Sequence, residues 1–150
     1  MSVLVDTNVL LRRTQPDHPS HAVAVESVAI LLAGGEAVCF TLQNIAEFWN
    51  VATRPLINNG LGFSIAVTLA EVSKIEQALM LLPDSAAIYE EWKRLVVTHN
   101  VLGSKVHDAR LVAAMNVHRV RRILTFNTAD FARYEIEALH PDSLLSRPLC

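Results

Sequence analysis

Acidic residues recur in this chain where an apolar run stops or a helix begins, and carboxylates so placed are the ligands a hard metal ion takes. Asp6 directly follows the aliphatic run Val3-Leu4-Val5, which reads as a buried strand, so its carboxylate stands at that strand's carboxyl edge. Asp6-Thr7-Asn8 equally suits a strand-to-helix corner, where Asp6 serves only as an Asx-turn or helix N-cap. Glu47 falls in a predicted helix over 42–52, on a polar stripe of Gln43, Glu47, Asn50 and Arg54 opposite Ile45, Phe48, Trp49 and Ala52. A solvated helix face is the ordinary explanation of such a stripe. Asp108 comes early in a predicted helix over 106–118, and Leu111, Val112 and Met115 share its face. A first-turn aspartate on an exposed helix gains only about 0.3–1 kcal/mol from the dipole, whereas a carboxylate in mostly apolar surroundings needs a cation to be tolerated. Asn127 and Asp130 follow Ile123-Leu124-Thr125 at the same predicted edge as Asp6, where Asn127 or Thr128 could instead cap a short helix.

Each of these positions has a local explanation, but together they predict one acidic cleft. Carboxylates brought within 4 Å repel by roughly 4 kcal/mol per pair at an effective dielectric of 20. A divalent cation with oxygen ligands relieves that repulsion. Mg²⁺ or Mn²⁺ fits, because no Cys or His cluster accompanies the acids. Such an ion braces a phosphate for in-line attack by water.

The elements that would carry these acids alternate between strand and helix. After the first strand, a helix spans 21–33, with Ser20 as its cap and Gly34-Gly35 as its stop. A strand over 37–40 leads to Thr41, which caps the helix that Arg54-Pro55 closes. Asn58-Asn59-Gly60 and Gly62 form a loop, Ser64 opens a helix to about 79, and Leu81-Leu82 extends before Pro83. Ser85 caps a helix over 86–98, and a loop over 100–105 precedes the helix of Asp108. A strand over 122–125, a helical turn over 128–133 and a weak strand over 137–139 complete the chain. Continuously apolar strands separated by helices predict a three-layer α/β/α sandwich with a mostly parallel central sheet, in a single domain of 150 residues. Open sheets of that kind bind ligands beyond the carboxyl ends of their strands.

In this order the segments resemble the PIN-domain family, and within it the VapC-like toxins. The matching pieces are Val3 through Leu11, Glu47 in the helix after the second strand, His107-Asp108-Ala109-Arg110-Leu111-Val112-Ala113-Ala114, and Leu124-Thr125-Phe126-Asn127-Thr128-Ala129-Asp130-Phe131. The resemblance implies Mg²⁺- or Mn²⁺-dependent cleavage of RNA, a homodimer, and neutralisation by a small antitoxin. Asp6, Glu47 and Asp108 match the family's three acids. At the fourth acidic position many members carry Asp where this chain has Asn127, and Asp130 matches the acid of a Thr-x-Asn-x-x-Asp-Phe version. Both assignments stay open at this point, as does the number of metals. Thr7 and Asn8 match positions that support the first acid by hydrogen bonding, and Thr125 and Asn127 stand beside them as supporting residues.

With a net charge of −2, the chain has no global positive field, so a nucleic acid must be met through a local basic patch or through metal. Lys105 and Arg110 flank Asp108 and are the expected RNA contacts, with Arg119, Arg121 and Arg122 nearby. Solvated helix ends explain the same residues. His107 reads as a core or surface histidine in preference to a base. A haloacid-dehalogenase-like phosphatase would want a second Asp at position 8, which is Asn8. A nucleotide-binding module would need a glycine loop between strand and helix, but Gly34-Gly35 precedes a strand. A catalytically inactive PIN-like module that binds RNA or protein remains an alternative, against which stands the intact set Asp6, Glu47 and Asp108.

Hydrophobic residues make up 51% of the chain, a surplus that predicts interfaces. One is a homodimer face from 64–79 and the stretch 54–63, which reads as a lid or an oligomer contact. The other is a groove for an antitoxin segment. Cys39 and Cys150 imply neither a disulfide framework nor a zinc site. Asp6 interrupts the apolar start, so no secretory segment is expected, and the apolar run over 28–33 is far short of a membrane span. The expected location is the cytoplasm.

Overall fold

Residue alternation along the first strand divides the core in two. In the computed structural model, which describes residues 1–146, β1 (Ser2–Val5) turns Val3 and Val5 toward one helical layer and Leu4 toward the other. β2 (Ala37–Thr41) repeats the pattern, with Val38 and Phe40 on the first side and Cys39 on the second. β3 (Met80–Leu82), β4 (Arg122–Leu124) and β5 (Glu137–Leu139) complete a parallel five-stranded sheet in the order β3-β2-β1-β4-β5. Val3 lies opposite Val38 on one side and Arg122 on the other, and Val5 lies opposite Leu124. The three-layer sandwich predicted from the sequence is the fold observed.

The first layer holds α1 (Thr7–Arg12), α2 (His21–Ala33), α3 (Leu42–Thr53), α4 (Ile65–Ala78) and α7 (Pro141–Leu145). The second holds α5 (Ala86–Thr98) and α6 (Val106–His118). Ala109 and every residue from Leu111 to Met115 are buried, because α6 is wedged between the sheet and α5. Burying Leu111 and Met115 contributes roughly 1.5–3 kcal/mol each.

Two helices go beyond the sequence reading. α1 is too short to declare a period, and it forms because Asp6 caps it while Val9, Leu10 and Leu11 are buried. α7 begins with Pro141 in its first turn, and His140 Nδ1 accepts the Asp142 N–H. Helix caps divide likewise. Thr41 and Asn44 form a reciprocal capping box, and Ser64 accepts from the Val67 N–H. Ser20 and Ser85 precede their helices as predicted but make no side-chain cap.

The stretch 54–63 is neither open nor extended. Leu61, Gly62 and Phe63 donate backbone hydrogen bonds to Val51, Arg54 and Ala52, folding the turn back on the end of α3. Gly60 permits this, since a Cβ there would lie 1.9 Å from the Arg54 carbonyl oxygen. Leu61 and Phe63 pack on the core, while Leu56 and Ile57 are exposed. Cys39 is buried, which raises its thiol pKa, and the expectation for Cys150 falls outside the described residues. Among the described residues no helix is long and apolar enough to cross a membrane.

From β1 the chain first builds the sheet outward through β2 and β3, then returns to place β4 on the other side of β1. The crevice beyond the carboxyl ends of β1 and its neighbours is thus the switch point of the sheet.

Candidate functional site

Asp6 occupies that switch point, anchored by its backbone N–H to the Leu124 carbonyl at 2.9 Å. The cap role and the cleft role coincide. Its Oδ1 accepts the Thr7 N–H at 2.7 Å, and its Oδ2 accepts the Thr125 hydroxyl at 2.8 Å. Asn8 Nδ2 approaches the same Oδ2 at 3.5 Å and Thr125 Oγ1 at 3.3 Å, while Asn8 Oδ1 accepts the Phe126 N–H. Asn127 donates its backbone N–H to Thr125 Oγ1. Thr7, Asn8 and Thr125 therefore surround the first acid as predicted, but Asn127 reaches it only through its backbone and Thr125. Its exposed side chain caps nothing.

Asp6 is only 9% exposed, and its carboxyl pKa rises from 3.8 to about 6. Burial is the main cause. The hydrogen bonds from Thr125 and Thr7 oppose it, and the charges of Asp108 and Glu47 add to it. Acids from the end of β1, from α3 and from α6 are thus near enough to act on one another.

Glu47 is not on a solvated face. Its Oε2 accepts the Thr7 hydroxyl at 2.8 Å, and its Oε1 accepts Gln43 Nε2 at 2.7 Å. Gln43 Nε2 also donates to the His107 carbonyl at 2.8 Å, tying α3 to the first turn of α6 just before Asp108. Gln43 is buried, and its Oε1 has no partner among the described residues. Asn44, fully buried, donates to Thr7 Oγ1 at 3.1 Å and accepts from Thr41 through both backbone and hydroxyl. Sequence reasoning places Gln43 on a solvated stripe and overlooks Asn44. The available signal was a pair of amides in the first turn after a strand, on the acidic edge of the sheet. Replacing Asn44 with Ala removes the capping box and the Thr7 contact, and should lower stability by about 2–3 kcal/mol in urea unfolding.

Asp108 is half-buried, and burial raises its pKa, with Asp130 and Glu47 adding repulsion against the attraction of Lys105. Lys105 Nζ lies 2.8 Å from Asp130 Oδ1 and 4.0 Å from Asp108 Oδ2. Asp130 thus lies beside Lys105 and acts on Asp108. Lys105 is engaged with these acids, and Arg110 pairs with Asp84 at 3.4 Å across an exposed surface. His107 is exposed, and only its carbonyl enters the acidic network.

A hard cation fits this donor set. The side chains are oxygen donors, they carry more negative charge than Lys105 balances, and burial, with mutual repulsion adding to it, raises two of their pKa values. Among the described residues no three Asp, Glu, His or Cys side chains are grouped closely enough to hold a metal ion by themselves. Mg²⁺ does not require three, because it retains water and binds through one or two carboxylates plus substrate phosphate.

No curated protein matches the chain in sequence. Among solved structures it is similar to VapC20 of Mycobacterium tuberculosis, described as a sarcin-ricin loop cleaving toxin, at 18% identity and a TM-score of 0.66, over 90% of this chain and 97% of that one. It is similar also to a chain of the VapBC2 complex of Rickettsia felis bound to promoter DNA, at 14% identity and 0.67, over 93% and 98%. A chain of FitAcB of Neisseria gonorrhoeae gives 19% identity and 0.61, over 93% and 97%. At these identities the likeness concerns the fold. A family model for the PIN domain matches residues 3–137, a span that includes Asp6, Glu47, Asp108 and Asp130, and the chain belongs to the PIN-domain family.

Proposed function

We propose that the chain is a ribonuclease dependent on Mg²⁺ or Mn²⁺, and the toxin of a toxin–antitoxin pair. The observation that carries the reading is the hydrogen-bonded gathering of the acids at the switch point of the sheet: Thr7 bonds both Asp6 and Glu47, and Gln43 ties Glu47 to the turn that holds Asp108. When bound there, the cation supplies Lewis-acid stabilisation of the scissile phosphate. The protein's part is to hold its carboxylates ionised and fixed. At neutral pH Asp6, with a pKa of about 6, is mostly ionised. Thr125 and Thr7 orient its two oxygens, and Thr7 and Gln43 orient those of Glu47.

RNA as substrate is supported by the family and by the sarcin-ricin loop cleavage stated for VapC20. The exposed apolar residues Leu56, Ile57, Ile65, Val67 and Leu69 support an interface at the 54–69 region, as a homodimer would use. A small antitoxin with a basic side chain would find an undercompensated acidic cleft when metal is absent. A cytoplasmic location is consistent with such a partner and substrate. For Arg110 an RNA contact is compatible with its exposure, whereas Lys105 would have to leave Asp130 to reach a phosphate. An inactive binding module would have no need of an ionised, hydrogen-bonded acid held at such a desolvation penalty.

The test is cleavage of single-stranded RNA by the purified chain in Mg²⁺ or Mn²⁺, stopped by EDTA. No cleavage in either ion refutes the reading. In the same assay Asp130→Asn should lower kcat/KM at least about tenfold, or about 1.4 kcal/mol of transition-state stabilisation. Unchanged turnover would remove Asp130 from the site.

A further inference from the structure

Beside the acidic crevice, between α5 and the start of α6, lies a cavity of about 420 Å³. Its walls include Ile88, Tyr89, Trp92, Val106, His107 and Arg110. Trp92 is held in place by its Nε1–H, which donates to the Val106 carbonyl at 2.9 Å. Tyr89 stacks with it, the ring centroids 6.4 Å apart and the planes 29° from parallel, and Tyr89 remains 58% exposed. An exposed ring beside a fixed one is an aromatic platform, whose face is covered by the exposed side chain of Lys93 that a base would displace. Lys93 Nζ lies 5.2 Å from the centroid of the Tyr89 ring, and Arg110 stands at the cavity wall. Both cations sit in exposed ion pairs, with Glu90 and Asp84, which are weak enough to exchange for a phosphate.

The cavity adjoins the acids through a single residue. His107 lines it, the next residue is Asp108, and the His107 carbonyl accepts the Gln43 amide that also binds Glu47. The first turn of α6 is therefore shared by the cavity and the acidic network. Phe126, next to Thr125, offers no such surface, because it packs on the core and edge-on to His140.

We propose that this cavity takes one unpaired nucleobase of the RNA strand, stacked on Tyr89 and Trp92 beside the scissile phosphate. The proposal rests on the ribonuclease reading. Flat π-faces stack on aromatic side chains irrespective of base identity, and loss of one such contact weakens binding roughly tenfold to hundredfold.

The experiment uses the full chain carrying Trp49→Phe, which leaves Trp92 as the reporter, since the chain has two tryptophans. EDTA suppresses cleavage. Short single-stranded oligoadenylate should quench Trp92 emission, and an abasic strand of equal length should not. Tyr89→Ala should weaken oligoadenylate binding at least about tenfold, and Tyr89→Phe should retain it. Because Tyr89 is exposed, both variants should keep the wild-type circular dichroism. Equal quenching by the abasic strand, or unchanged affinity in Tyr89→Ala, overturns the proposal. So does an emission change on dilution of the chain alone with no effect of oligoadenylate, which would mean that a second copy covers the cavity. Tyr89-dependent binding by a chain that cleaves no RNA sustains the cavity and refutes the ribonuclease. Cleavage without any effect of Tyr89 refutes the cavity alone.

Discussion

Asp6→Asn is expected to eliminate cation-dependent RNA cleavage and yet to stabilise the metal-free protein at pH 7. The buried carboxyl has a pKa of about 6 in the folded chain against its ordinary 3.8, so the folded state holds the proton more tightly than the unfolded state does. Below pH 3.8 both states are protonated and the group has no effect. Between 3.8 and 6 the unfolded chain ionises first, and stability falls as pH rises. Above pH 6 the full penalty is present, about 3 kcal/mol. Asn removes the charge and can still accept the Thr7 N–H through its oxygen, but its NH₂ faces Thr125 and the amide of Asn8. The net gain should therefore be smaller, about 1–2 kcal/mol, or roughly 2–8 °C in Tm for a chain of this size. The wild type should lose stability between pH 4 and 6 where the variant does not, and Mg²⁺ should raise Tm in the wild type alone. A variant less stable at pH 7, or one still stabilised by Mg²⁺, would show that Asp6 is held for structure and not for charge.

Expression of the chain without a partner is expected to arrest growth, and Asp108→Asn is expected to abolish that arrest. Asn conserves volume and hydrogen-bonding capacity at a half-buried position that also suffers repulsion from Asp130 and Glu47. Folding should be preserved, while cleavage falls at least about a hundredfold, or about 2.8 kcal/mol of transition-state stabilisation. The variant should sediment like the wild type, as a dimer, because the exposed apolar residues of 54–69 lie apart from the substitution. Co-expression of a small antitoxin should rescue growth. Wild-type expression without any growth defect, in a chain that does not dimerise, would exclude the toxin reading and leave the ribonuclease reading to the cleavage assay. A toxic Asp108→Asn variant would detach toxicity from this site.

The order of strands and helices, the three layers and the parallel sheet were all legible in the residues, because each depends on short-range regularities. Val3-Leu4-Val5 and Ile123-Leu124 are apolar on both faces, as strands covered twice must be. Thr41 and Ser64 announce helix starts through bonds that span three residues. The position of Asp6 at the sheet edge follows from the same local logic, since it comes just after a strand. α1 escaped because six residues cannot display a helical period, and its stability comes from burial against the sheet.

The tertiary structure alone decided which polar residues face one another. Gln43 and Glu47 look solvated on a helical wheel, yet α6 lies against that wheel, and Gln43 binds the backbone of a residue 64 positions away. The Asp6–Thr125 bond spans 119 positions, so no window along the chain could contain it. The pairing of Lys105, expected to contact RNA, with Asp130 at 2.8 Å joins residues 25 positions apart and was not visible along the chain. The cavity lined by Tyr89 and Trp92 forms only where α6 meets α5. Periodicity records which face of an element is apolar. It carries no information about the partner that the opposite face will meet, because that contact is set by the packing of elements distant in the chain.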